Sequence, residues 1–376
     1  MMERKPSQAA SGGRSSGRRA TMRRVAEELG VSSMTISNAY NRPERVSEPL
    51  REQIFETAER LGYAGPDPVA RSLRRQRTNL AGVLYSNPLS YAFDDAAQVL
   101  FLKGVAAATE EAGMGLVLVP GSVGSSPNER ASAVMDAAVD GFVVYSIADD
   151  DPLVEAAQRR RLPTVIADQP LLEDVPFVGI DNESAAREVA RHLVDLGHEK
   201  FGVVSFSIAA ADRAPGIADS RRQRSATLRV TRARLAGYEA VLEAAGLPWK
   251  DVPVYECFGS SKALGREAAD ALLSQDPPLT AILALSDQLA LGVIEAAKER
   301  GLSVPEDLSV AGFDDVPEAA TSRPPLTTVH QDHTKKGELA GRLLVAQLRE
   351  EETEDTELLP ARLVVRGSTG RPPGAS

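Results

Sequence analysis

TMRRVAEELGVSSMTISNAYNRPERVSEPLREQIFETAERLGY, residues 21–63, carries the spacing of three short helices. Near Met22–Leu29, Val25, Ala26 and Leu29 fall on one face at helical spacing. Gly30 supplies a reversal, and Ser32 stands where an N-cap belongs, so a second helix is expected from about Ser33. Ile36 and Ala39 face inward in that helix, which leaves Ser33, Met34, Ser37 and Asn38 outward. Ser47 is placed to cap a third helix, in which Leu50, Ile54, Ala58 and Leu61 repeat every three or four residues before Gly62 stops it. Two short helices about a glycine turn form a helix-turn-helix, whose second helix enters the DNA major groove. Periodicity alone suits any small helical hairpin equally well. The identities of the residues carry the reading further.

Val25, Ala26, Gly30, Val31, Ser32, Thr35, Ile36 and Ser37 spell V-A-x-x-x-G-V-S-x-x-T-[IV]-S. This string resembles the headpiece of LacI–GalR repressors, as do Asn41 and the Val46-Ser47 step into the third helix. The resemblance implies that Ser33, Met34, Thr35, Ser37 and Asn38 form the DNA-reading surface. One departure stands out: Asn38 occupies a position where many members have arginine. Arginine commonly reads guanine, whereas asparagine pairs with adenine or contacts phosphate, so the operator base there is expected to differ. Met34 offers an apolar contact, suited to a thymine methyl.

The chain has 376 residues, enough for two or three domains, and a net charge of −10. Residues 1–77 carry 15 Lys/Arg against 9 Asp/Glu, a net of +6, and the remainder carries −16. A basic head on an acidic body confines phosphate binding to the head, although acidic surfaces also simply keep a body soluble. Cys257 is the single cysteine, which excludes an internal disulfide or a cysteine-based metal site. No apolar run approaches the roughly 18 residues of a membrane span, and no signal-peptide core is visible. A cytoplasmic, nucleoid-associated protein without membrane contact is the expectation.

Residues 1–20 are rich in Ser, Gly and Arg and read as a disordered basic arm, followed by the headpiece over 21–64. Residues 65–78 follow as a linker, in which Ala70, Arg71 and Leu73 match the A-[RQ]-x-L core of the family's hinge helix. By that resemblance two hinges pair and Leu73 wedges the minor groove. The body, 79–367, alternates near-continuous apolar strands with helical patterns, which implies α/β architecture with two doubly wound parallel-sheet lobes. The resemblance makes these lobes similar to type I periplasmic binding proteins and extends over Asp181-Asn182, the R-x-x-G-[YW] string at Arg234–Tyr238, the stretch Ser286–Gly292 and Pro324–Val329. It implies crossings between lobes near Asp181, Val304–Ser309 and Val329–Asp332. Lobe one would then hold about 79–181 plus 309–329, and lobe two about 182–305 plus 333–367. The tail 368–376 is expected to be disordered and lacks the heptads of a tetramerisation zipper.

Ligands of doubly wound sheets bind at the carboxyl ends of strands, so the interlobe cleft is the expected effector site. Asp287 follows the apolar run Ala281–Leu285, where it either contacts ligand or caps a helix. Arg234 matches the family's effector-contacting arginine, and Asp168 ends the strand Thr164–Ala167. Phe93, Tyr145 and Phe258 are further candidates to line the cleft, each equally suited to core or rim. Ala209–Thr231 reads as a long loop whose arginines are either solvated or closed over an anionic ligand. No HExxH, GxSxG or P-loop appears, so neither metal, cofactor nor catalysis is expected. The resemblance implies a transcriptional regulator, most simply a repressor. It would bind a palindromic operator as a homodimer, with a sugar, or a nucleobase or other metabolite, between its lobes. Transport receptors share the two-lobed fold, but headpiece and hinge argue against one.

Overall fold

The computed structural model describes residues 21–65, 77–86, 88–121, 126–209, 214–352 and 356–374. The chain divides into two compact units between Thr78 and Asn79. In the first, α1 spans Met22–Leu29, α2 Ser33–Asn41 and α3 Glu48–Leu61, with a 3-10 turn at Pro43–Arg45. Gly30 closes α1 with φ of 65°, left-handed backbone that glycine adopts without a Cβ penalty. The Ser32 hydroxyl accepts the Thr35 N–H at 3.0 Å and starts α2. Ser47 stands at the N-cap of α3, but its hydroxyl makes no capping bond; Pro49 presets the first turn instead. Val25, Ile36 and Ile54 are wholly buried at the centre of this unit. Each contributes about 1.5–3 kcal/mol by leaving water. The hinge residues Arg71 and Leu73 lie outside the described residues.

The second unit is built on two sheets. In lobe one, β1 (Leu80–Tyr85), β2 (Gly115–Pro120), β3 (Gly141–Tyr145), β4 (Thr164–Ala167), β5 (Phe177–Ile180) and β12 (Thr356–Leu359) form a parallel sheet in the order β12-β5-β4-β3-β1-β2. Helices cover both faces, which is why the strands are apolar on both. Val83, Val143 and Val165 point to Phe101 and Val105 of α5 (Ala96–Glu111) and to Leu343 and Leu344 of α14 (His333–Leu348). Their neighbours Leu84, Val144 and Ile166 point to Val134 of α6 (Pro127–Asp136) and Leu153 of α7 (Pro152–Arg160). A short helix, α4 (Leu89–Asp94), precedes α5.

Lobe two orders its strands β10-β9-β6-β8-β7, from β6 (Phe201–Ser205), β7 (Gly216–Ile217), β8 (Val254–Glu256), β9 (Ala281–Ala284) and β10 (Ser309–Ala311). One face packs on α8 (Asn182–Asp195) and α10 (Arg229–Ala244), the other on α11 (Lys262–Leu272) and α12 (Asp287–Glu299). The remaining helices are α9 (Ser220–Arg224) and α13 (Pro317–Thr321). An antiparallel pair, β11 (Thr328–Gln331) with β13 (Ala361–Val364), lies where the chain passes between lobes.

Three expectations need correction. The chain does not change lobes at Val304–Ser309. Ser309 pairs in parallel with Ala281, so β9, α12 and β10 make an ordinary crossover within one sheet. Residues 309–327 therefore belong to lobe two, while α14 packs on α5 and β12 pairs with β5 in lobe one. The crossings are at β5 to α8, β11 to α14 and β12 to β13. Next, Ala209–Thr231 is not one loop, since it contains β7, α9 and the first turn of α10. Its Arg222 forms a bidentate pair with the buried Glu256, at 2.9 and 3.0 Å, rather than projecting into water; Arg221, Arg224 and Arg229 are exposed. Finally, the tail is ordered at its start. Ser368 is fully buried, its Oγ donates to Val310 O at 2.6 Å and accepts from Thr327 N at 2.8 Å. Small polar residues add there to the β10 edge, a use that composition alone does not reveal.

Candidate functional site

Two surfaces carry the candidate chemistry. On α2, Ser33 and Met34 are exposed, Met34 at 68%. Thr35, Ser37 and Asn38 are half-buried, and Ile36 and Ala39 anchor the opposite face. The Thr35 hydroxyl lies 2.9 Å from that of Ser32. The Asn41 amide donates to Ser37 O at 2.8 Å and to its Oγ at 3.3 Å, which fixes the last turn of α2. The face that remains, Ser33, Met34 and Asn38, is small, polar and centred on one apolar side chain.

The second surface is a cavity of about 190 Å³ between the lobes, at the carboxyl ends of their strands. Lobe one contributes Tyr85, Asp95, Gln98, Tyr145 and Asp168, and lobe two Phe206, Arg234, Ser260 and Ser286. Asp314, Gln331 and His333 close the floor. Several of these positions hold left-handed backbone, with φ of 50° at Ser146, 65° at Asp168 and 120° at Asp314. Non-glycine residues so placed cost on the order of 1 kcal/mol each and cluster at functional sites.

A chain of buried polar contacts runs along the floor. Lys336, fully buried on α14, donates to Asp168 Oδ1 at 2.7 Å and to Gln331 Oε1 at 2.6 Å. Gln331 Nε2 donates to Asp314 Oδ1 at 2.7 Å, and Arg234 lies 3.7 Å from the same carboxylate. Arg234 also donates to Asn182 Oδ1 at 2.9 Å and to Leu285 O at 2.5 Å, and it stacks 3.5 Å from the Phe313 ring centroid. The lobes also touch one another directly. Val230 N donates to Gln169 Oε1 at 2.8 Å, and Asp149 N to Thr227 O at 3.2 Å.

Burial sets the ionisation of the cavity. It raises the Asp95 carboxyl to about 6, helped by the charge of Asp314 and opposed by the Ala97 N–H that Asp95 accepts. Burial, then nearby carboxylates, pushes the Tyr85 and Tyr145 phenols upward. Burial lowers His333, so its ring is neutral, and its Nε2 is 3.6 Å from Asp314 Oδ1, beyond hydrogen-bond reach. Among the described residues Tyr85 Oη, Gln98 Oε1 and both His333 ring nitrogens are buried with no hydrogen-bond partner. Such groups are rare in folded proteins and call for a partner of their own.

Of the expected effector residues, the structure brings Arg234, Asp168 and Tyr145 together around this cavity. It does not bring Asp287, Phe93 or Phe258. Asp287 is wholly buried and faces away, accepting Val316 N at 2.8 Å and the Thr328 hydroxyl at 2.5 Å. Burial, then Asp314, pushes its carboxyl well upward. Its place is structural because α12 starts against the chain that leaves β10. Phe93 is 61% exposed at the end of α4, and neither it nor Phe258 lines the cavity, although Gly259 and Ser260 do.

Residues 21–65 match the model of bacterial regulatory proteins of the lacI family, and residues 190–369 that of a periplasmic binding protein-like domain. An HTH-type transcriptional regulator of Mycobacterium tuberculosis is 44% identical over 363 residues, covering 95% of this chain and 98% of the relative. The HTH-type transcriptional regulator IpsA of Corynebacterium glutamicum is 43% identical, with 89% and 93% covered. The chain belongs to the LacI family. A LacI-family regulator from Corynebacterium glutamicum superposes with a TM-score of 0.71 at 38% identity, covering 91% of this chain and 96% of that one. The lac repressor dimer bound to operator and an anti-inducer gives 0.72 at 26% identity, with 93% and 99% covered. The CelR–cellobiose complex gives 0.67 at 28%, with 93% and 100% covered.

This LacI-family chain is therefore a transcriptional regulator, with a helix-turn-helix that binds DNA and a two-lobed domain for an effector; its relatives are regulators, not enzymes. No helix among the described residues is long and apolar enough to cross a membrane. Reading from the sequence missed Tyr85, Gln98, Asp314 and His333. Tyr85 ends the strand Leu80–Tyr85 and Asp314 follows the strand Ser309–Ala311, so the strand-end rule that gave Asp168 also reaches them. Gln98 and His333 sit in first helical turns, where no spacing marks them.

Proposed function

We propose that this regulator is a repressor that binds a palindromic operator as a homodimer, and that a small polyhydroxy effector of the sugar class binds between its lobes. The observation that carries the effector half is the set of buried, unpartnered polar atoms on Tyr85, Gln98 and His333 around one interlobe cavity. Arg234, Asp168 and Tyr145 complete the lining as donors, acceptors and an aromatic wall. Support for the operator half comes from the exposed α2 face and from likeness to a lac repressor dimer bound to operator. The CelR–cellobiose complex supports a sugar rather than a nucleobase.

In this reading Ser33, Met34, Thr35, Ser37 and Asn38 face the major groove, and Arg71 and Leu73 act from the hinge. Ligand binding favours one arrangement of the lobes and thereby shifts operator affinity, a coupling that must be reciprocal. A duplex selected from random sequence provides the test. Asn38→Ala should weaken binding to the selected duplex by about 1–3 kcal/mol while nonspecific binding changes little. Equal loss on both DNAs would remove Asn38 from base reading.

A further inference from the structure

We propose that a proton on Asp95 holds the two lobes together, so that this regulator's affinity for its operator varies with pH even without an effector. This rests on the coupling of lobe arrangement to operator proposed above and adds the proton to it as a second input. Asp95 is the N-cap of α5, on lobe one, and is only 9% exposed. Its carboxyl shares the interlobe cavity with Asp168 of lobe one and Asp314 of lobe two. Two buried cations serve these three acids: Lys336 donates to Asp168 at 2.7 Å, and Arg234 lies 3.7 Å from Asp314. Asp95 is left, among the described residues, with the amides of Ala97 and Gln98 and no ion pair.

The other groups around Asp95 do not relieve it. Tyr85 at the end of β1 and Tyr145 at the end of β3 are phenols that burial pushes further upward. Burial keeps His333 of α14 neutral. Lys336 of the same helix is committed to Asp168 and Gln331, and Arg234 of α10 to Asn182 and Leu285 O. Asp94, beside it on α4, is exposed. Ionised Asp95 therefore meets the charge of Asp314 on the facing lobe, in a site from which screening water is largely excluded. A protonated carboxyl meets no such repulsion and gains a donor.

Linkage turns this geometry into a direction. With the lobes in contact, burial and then the charge of Asp314 raise the Asp95 carboxyl from 3.8 to about 6. Parting the lobes rehydrates Asp95 and takes Asp314 away, which returns the carboxyl toward its ordinary value. The proton thus binds the closed arrangement more tightly. Its contribution is complete below pH 3.8 and is lost as pH rises through about 6. Between about pH 7.5 and about pH 5 it favours the closed arrangement by at most about tenfold. The headpiece has no histidine with which to produce such a change, because the four are His192, His198, His330 and His333.

The full-length protein and a duplex selected from random sequence test this without any effector. The operator dissociation constant of the parent should change about three- to tenfold between about pH 7.5 and about pH 5. That of Asp95→Asn, which is neutral throughout, should not follow. Amide hydrogen exchange reads the lobes directly at Asp149 N, bonded to Thr227 O, and at Val230 N, bonded to Gln169 Oε1. Intrinsic exchange rates cancel when two proteins are compared at one pH. Asp95→Asn should protect both amides better than the parent at about pH 7.5, with the gap narrowing toward about pH 5. Asp314→Asn keeps an acceptor for Gln331 and removes the facing charge, so it should move the transition to lower pH. It carries the test if Asp95→Asn does not fold. Equal protection in the parent and Asp95→Asn at both pH values, or a transition unmoved in Asp314→Asn, would overturn this inference and leave the interlobe effector reading intact. An operator response to pH that persists in Asp95→Asn would also overturn it and pass the response to a histidine. Protection that shifts as expected while operator affinity stays flat would overturn the coupling on which both readings rest.

Discussion

Asp287 and Asp95 are both carboxylates at helix starts, and their surroundings give them different work. Asp287 holds Val316 N and the Thr328 hydroxyl inside lobe two. Asp287→Ala strands both donors away from water, which should cost about 2–4 kcal/mol, read as a lower urea midpoint. Asp95 faces the cavity with Tyr85, Tyr145, Gln98 and Asp314 around it. Its carboxyl is raised from 3.8 to about 6, so the folded state binds a proton more tightly than the unfolded chain. The stability tied to that proton is complete below pH 3.8 and is lost as pH rises through about 6. Asn keeps the acceptor for Ala97 N without the charge. Asp95→Asn should therefore be about 1–3 kcal/mol more stable than the parent at pH 7, with the gap closing near pH 4. A difference independent of pH would contradict this account. The strand-end rule made Asp168 legible and the family string made Arg234 legible, yet the strand-end rule also selected Asp287. Sequence gives the position after a strand but not the direction of the side chain. His333 and Gln98 were illegible for the converse reason: their meaning lies in lacking a local partner.

At the scale of elements, the headpiece was legible nearly to the residue, because helical spacing holds over α1, α2 and α3, Gly30 ends α1 and Ser32 caps α2, although Ser47 forms no cap on α3. The body was legible as alternating strands and helices, but the second crossing was not. β10 is three buried residues long, and only its pairing with β9 says which sheet it joins. The ordered start of the tail was hidden for a similar reason, since Ser368 and Gly370 look like linker until the β10 edge receives them. Packing also sets limits that no pattern announces. α5 and α14 approach so closely that a Cβ on Gly337 would lie 2.0 Å from Phe101 O. Gly337→Ala must push the helices apart and should cost at least about 3 kcal/mol. A melting temperature equal to the parent's would refute that packing. The same contact joins α14, which carries Lys336 and His333, to the rest of lobe one, so the variant should also weaken effector binding.

For the whole molecule, the proposed function requires free-energy coupling between the two compact units, residues 1–78 and 79–376. The cavity lies beside the crossing from β11 to α14, and buried contacts from Lys336 through Gln331 and Asp314 to Arg234 join both lobes to it. Gln169→Ala removes an interlobe contact and strands the buried Val230 N–H, so it should weaken effector affinity about fivefold, near 1 kcal/mol, and also lower the urea midpoint. The central claim is that effector and operator bias one equilibrium. The most direct measurement is the effector dissociation constant of the full-length protein, taken with and without saturating selected operator, beside the operator constant with and without effector. The account predicts that the two ratios are equal and differ from one, on the order of 5–150-fold. An effector that binds with the same affinity whether or not operator is present would contradict it.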